Sequence, residues 1–79
     1  MKKFKDLDDF LKNVNKGDFL MWKMDNAFGK GVVLTKPRKE RKTIVFQFYQ
    51  IINSNNRNSY FVLWSINKNN VCNTIKISN

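Results

Sequence analysis

The chain has 79 residues, with 15 Lys and Arg against 6 Asp and Glu, and so carries a formal net charge of +9 with no histidine. That length holds one domain, residues 1–79, whose seven Phe, two Trp and two Tyr supply a core without a metal or a staple. A single cysteine excludes an internal disulfide, and no apolar run is long enough to cross a membrane as a helix.

Residues 1–17 read as an N-terminal helical segment. Phe4, Leu7, Phe10, Leu11 and Val14 recur at helical spacing and predict a helix over about residues 5–15, packed by that stripe. Asp6, Asp8 and Asp9 near its start and Lys12 and Lys16 near its end suit the helix dipole, and Gly17 follows as a C-terminal cap. The same three aspartates interrupt what would be the apolar centre of an export signal, so the expected location is cytoplasmic.

From Asp18 to residue 79 the period changes to two. Five β-like runs follow: Phe19–Met24, Gly31–Lys36, Thr43–Ile52, Tyr60–Ile66 and Val71–Ile77. In the third, Ile44, Phe46 and Phe48 share one face, and Val45, Gln47 and Tyr49 the other. The short connections favour an antiparallel meander, and closure into a small barrel would hide the edge strands. The expected fold is therefore mainly β with one N-terminal α-helix, a five-stranded antiparallel small barrel over 18–79. Both faces of the third and fourth runs are apolar; one would line the barrel, and the helix could cover part of the other. Cys72, inside the last run, reads as a packing residue, because no nearby charge would lower its pKa.

Two short motifs carry a resemblance at the level of fold. Lys16-Gly17-Asp18 leads into one strand, and Gly29-Lys30-Gly31-Val32-Val33 opens the next. In this the chain resembles SH3-like barrels of the Tudor, chromo and KOW kind over residues 16–77; an OB-like five-stranded barrel is the alternative. The resemblance implies a binding module for nucleic acid, methylated lysine or a peptide, without catalysis.

Lys36-Pro37-Arg38-Lys39-Glu40-Arg41-Lys42 places five cations and one anion between two strands. Like charges crowded on one connection give the fold nothing, whereas each phosphate they neutralise releases a condensed counterion. Twelve Lys, three Arg and twelve Asn, with scarce Pro and Gly, are also what AT-rich coding DNA produces, and a solvated hairpin connection needs no partner to explain its charge. Two of the three arginines lie in this cluster, and arginine is the better bidentate phosphate ligand. Aromatic rings beside cations are the second signal, since unpaired bases stack on exposed rings. Trp22 adjoins Lys23, and Tyr60 lies near Arg57.

No constellation of a metal, phosphate-loop or nucleophile site is present; Gly29-Lys30-Gly31 reads as a turn entering a strand. The expectation is a non-catalytic nucleic-acid-binding protein without cofactor. Its contacts would be Lys36, Arg38, Lys39, Arg41 and Lys42 on phosphates, extended by Lys30, Lys23 and Arg57, with Trp22 and Tyr60 stacking on bases. Charge does not separate DNA from RNA. The rivals are a virus-type protein-binding module or inhibitor docking on an acidic surface of a host or defence protein, and a subunit of a larger assembly.

Overall fold

The computed structural model describes residues 1–53 and 60–78, with side chains described except at 52, 53, 60–63 and 78. Strand β1 (Lys2–Lys3) precedes helix α1 (Leu7–Asn13); then come β2 (Phe19–Met24), β3 (Ala27–Val33), β4 (Arg38–Glu40), β5 (Thr43–Asn53), β6 (Tyr60–Ile66), a single 3₁₀ turn (Val71–Asn73) and β7 (Thr74–Ser78). The protein is mainly β, with one short helix and a curled antiparallel sheet that forms a barrel-like half-shell.

Among the described residues the sheet contains seven strands where five were expected. β2, β3, β5 and β6 form the meander, and β7 returns to pair with β2. The two additions, β1 on β7 and β4 on β5, consist of Lys-Lys and Arg-Lys-Glu. β3 and β4 occupy the same edge of β5 in succession, because β6 covers the opposite edge along both stretches.

Alternation decides the core. Ile44, Phe46 and Phe48 are buried, as is Ile66 opposite Ile44. Gly31 permits the curl: the β3–β5 register shifts beside it, and a Cβ there would meet the Tyr49 carbonyl oxygen at 2.1 Å. Gly17, at φ +94, takes a left-handed turn that side-chain-bearing residues avoid, and its N–H donates to the Val33 carbonyl at 2.7 Å.

The helix is shorter than expected, and it covers the inner face of the sheet and not the outer one. Seven residues cannot hold a helix alone in water, so packing and capping must do it. Phe10 is fully buried, 5.7 Å from the Phe46 ring and 4.8 Å from Phe4. A run of ring contacts continues through Phe48 and Trp64 to Trp22. Asp6 caps the first turn by accepting from the Asp9 N–H at 2.8 Å, while Asp9 accepts from the Lys5 N–H at 3.0 Å. That hydrogen bond is the main cause that holds the Asp9 carboxyl below the usual carboxylate range; the Lys2 ammonium, 3.4 Å away, adds to it against the desolvation.

The far end is closed from the sheet. Gly17 does not cap the helix; Val14 does, through its N–H to the Phe10 carbonyl. Lys36 Nζ donates to the Val14 carbonyl at 3.0 Å and to Asn15 Oδ1 at 2.9 Å, and Lys76 Nζ donates to the Asn13 carbonyl at 2.8 Å. These carbonyls are among those a helix end leaves unpaired, and Lys36 from the β3–β4 connection and Lys76 from β7 satisfy them. Lys76 also pairs at 3.3 Å with the buried Asp18, which accepts from the Asn15 N–H.

Cys72 is corrected too. Residues 71–73 form the 3₁₀ turn, which buries Val71 and leaves Cys72 exposed. Asn67 and Asn70 dictate this. Asn67 N–H donates to Asn70 Oδ1 at 2.9 Å, and Asn70 N–H returns to the Asn67 carbonyl at 3.2 Å, which keeps the chain turning through Val71. Among the described residues no helix is long and apolar enough to cross a membrane.

Candidate nucleic-acid interface

The connection expected as a loop is largely a β-hairpin. Lys39 pairs with Ile44 and Glu40 with Thr43, which leaves Arg41 and Lys42 as a two-residue turn. Arg41 sits at φ 60, and a positive φ at the first central residue is the pattern of a type II′ turn, where glycine is the unstrained choice. Strand alternation then divides the cluster. Arg38 and Glu40 project to one side and pair with each other. Lys39 lies on the side of its inward-facing partner Ile44, at the rim of the core.

At that rim lies a concavity of about 530 Å³, lined by Lys39, Arg41, Lys42 and Lys68 together with Leu7, Thr43, Asn67 and Asn69. The β5–β6 register brings the second side of it: Ile44 stands opposite Ile66, so the turn that follows Ile66 carries Lys68 up to the hairpin tip. The start of the helix brings Leu7. Among the described residues, none of these four cations makes an ion pair or a side-chain hydrogen bond. Like charges gathered on one exposed rim repel weakly through water and salt, so the cluster is a small burden on the fold and not a support for it.

The remaining candidates are placed elsewhere. Lys36 serves the helix end, and Arg38 is held by Glu40. Lys30 pairs with Ile52 and Arg38 with Val45 along one edge of β5, seven residues apart, or roughly 23 Å of strand. Lys23 and Lys30 therefore form a group apart from the hairpin, on the outer sheet face, where Lys23 stands opposite Phe28 and Lys30 opposite Met21. Phe19 and Phe28 on that face are 38% and 45% exposed. Trp22 points to the inner side: its Nε1 donates to Gln50 Oε1 at 2.8 Å, and its ring lies 5.4 Å from that of Trp64. Tyr60 opens β6 opposite Gln50. Arg57 and the Tyr60 side chain lie outside the described residues.

Sequence reasoning missed Lys68, Asn67, Asn69 and Leu7. Lys68 was legible only through the pairing register of β5 and β6. Leu7 was assigned to the helix stripe, and it both packs against the core and reaches the rim. Among the described residues, no group of acidic, Cys or His side chains could hold a metal ion.

No protein-family model matches the chain, and neither a curated protein nor a solved structure matches it.

Proposed function

We propose that the protein binds nucleic acid, DNA or RNA, without catalysing a reaction on it, and that the contact is the β4–β5 hairpin tip with the turn after β6. One observation carries the reading: Lys39, Arg41, Lys42 and Lys68 line a single concavity, and none has a partner among the described residues. Four cations converging on a hollow whose lining includes no carboxylate, with the nearby Glu40 paired to Arg38, gain most from a polyanion, where counterion release drives association. Arg41, at positive φ in the turn, lines the concavity and would offer its planar guanidinium to a phosphate.

The architecture behind the site fits a small SH3-like barrel, with β2, β3, β5, β6 and β7 as its five principal strands and a 3₁₀ turn ahead of the last. Such folds present loops from a rigid sheet, and hairpin-borne cations follow that plan.

Fluorescence anisotropy with labelled DNA and RNA at two salt concentrations tests the proposal. Four neutralised phosphates predict a log–log salt slope of about −3.6 on duplex DNA, or about −2.8 on a single strand. Affinity that does not change with salt, or no binding at low salt, contradicts it.

A second reading is supported by the outer sheet face. Phe19 and Phe28 are exposed beside Lys23 and Lys30, a mixture that suits an acidic protein surface with apolar anchors. A partner that stays bound in a pull-down after nuclease treatment, and is lost on Phe28→Glu, favours this reading.

A further inference from the structure

We infer that the rim concavity selects single-stranded nucleic acid, by seating one unpaired nucleotide with its base on Leu7 and its phosphates on the cations. This rests on the nucleic-acid reading above and specifies the form of the ligand.

The site has two chemically different walls. One is cationic, formed by Lys39, Arg41, Lys42 and Lys68. The other is apolar, formed by the half-buried Leu7 at the first position of the helix. The neighbouring Asp6 carboxylate is occupied by the Asp9 N–H, so it is committed to the helix and not to the concavity. Asn67 also lines the concavity, with its Oδ1 already accepting from the Asn69 N–H, which leaves its amide N–H groups as donors.

A volume of about 530 Å³ lies within the range of small-ligand sites and suits a nucleotide unit. A duplex offers such a hollow only its convex row of phosphates, since its bases are stacked and paired inside. The cations would then be served and Leu7 left facing water. A single strand can turn a base inward while its phosphates stay on the rim, and this serves both walls at once.

The test compares three probes of equal length on the full chain by fluorescence anisotropy: a thymidine oligonucleotide, an abasic oligonucleotide with the same number of phosphates, and a duplex. The thymidine strand is expected to bind about fivefold tighter than the abasic strand, the factor expected from removing on the order of 40 Å² of apolar surface from water. Leu7→Gln should erase that difference, whereas Lys68→Ala should weaken both single strands by a similar factor. Should Leu7→Gln unfold the chain, the Leu7 methyl resonances of the native protein decide, moving with the thymidine strand and staying still with the abasic one. Equal binding of thymidine and abasic strands, or a preference for duplex, overturns the inference and leaves the nucleic-acid reading standing. A base preference that survives Leu7→Gln in the folded protein, or Leu7 methyls unmoved by thymidine, also overturns it. Binding to none of the three overturns both.

Discussion

Two populations of cations share this small surface. Lys2, Lys36, Arg38 and Lys76 each hold an oxygen, and Lys36 and Lys76 tie the end of the helix to the sheet. Lys39, Arg41, Lys42 and Lys68 hold nothing among the described residues and surround one hollow. Net charge alone does not distinguish the two groups. Removing Lys36 or Lys76 should damage the fold, removing Lys2 or Arg38 from their surface pairs should cost it little, and removing one of the second group should damage only what the fold binds.

The largest effect should come from Lys76→Ala, which leaves the buried Asp18 without its counter-charge and the Asn13 carbonyl without a donor. A loss of about 3 kcal/mol in urea unfolding is expected. A loss below about 1 kcal/mol would mean that Lys76 belongs with the free cations. Lys36→Ala comes next, at about 1 kcal/mol, because its two acceptors are only partly shielded from water. Arg41→Gly should do the reverse. It relieves the left-handed backbone and raises stability by about 0.5–1 kcal/mol, while it weakens oligonucleotide binding. If stability and binding fall together in that variant, the turn is not strained as described.

The smallest effect concerns pH. Asp9 has a folded-state pKa held below its ordinary 3.8, chiefly by the Lys5 N–H. Its contribution is therefore complete above that value and fades as the pH falls below 3.8 through the lower folded pKa. The stability gap between native protein and Asp9→Asn should be constant near neutrality and close in stronger acid. A gap that closes on raising the pH would contradict this.

The same division shows what the chain disclosed before its fold was known. β2 and β6 fell on their expected bounds and β5 ended within a residue of them, because alternation of large apolar residues marks a half-buried strand. β1 and β4 stayed hidden because Lys-Lys and Arg-Lys-Glu have no apolar rhythm, and pairing with neighbours alone makes them strands. Residues 71–73 misled through their apolar Val-Cys pair, which the asparagine turn overrides. The cationic segment was visible by count, but its division was not. Pairing with β5 sends Lys39 one way and Arg38 the other, and the reach of Lys36 to the helix end depends on a contact 22 residues away. Trp22, expected to stack on bases, packs inward on the face of the buried Leu20, where Gln50, on a strand not adjacent in sequence, accepts its N–H.

On the proposed reading, the unpartnered cations, and not the basic chain as a whole, make the binding surface. The direct test measures the salt dependence of oligonucleotide affinity for the native protein and for the Lys39→Ala, Lys42→Ala, Lys68→Ala triple variant, beside their urea unfolding curves. Unchanged or slightly raised stability and a log–log slope shallower by about 2 on a single strand are expected. An unchanged slope with weak or absent discrimination between the two proteins would contradict it.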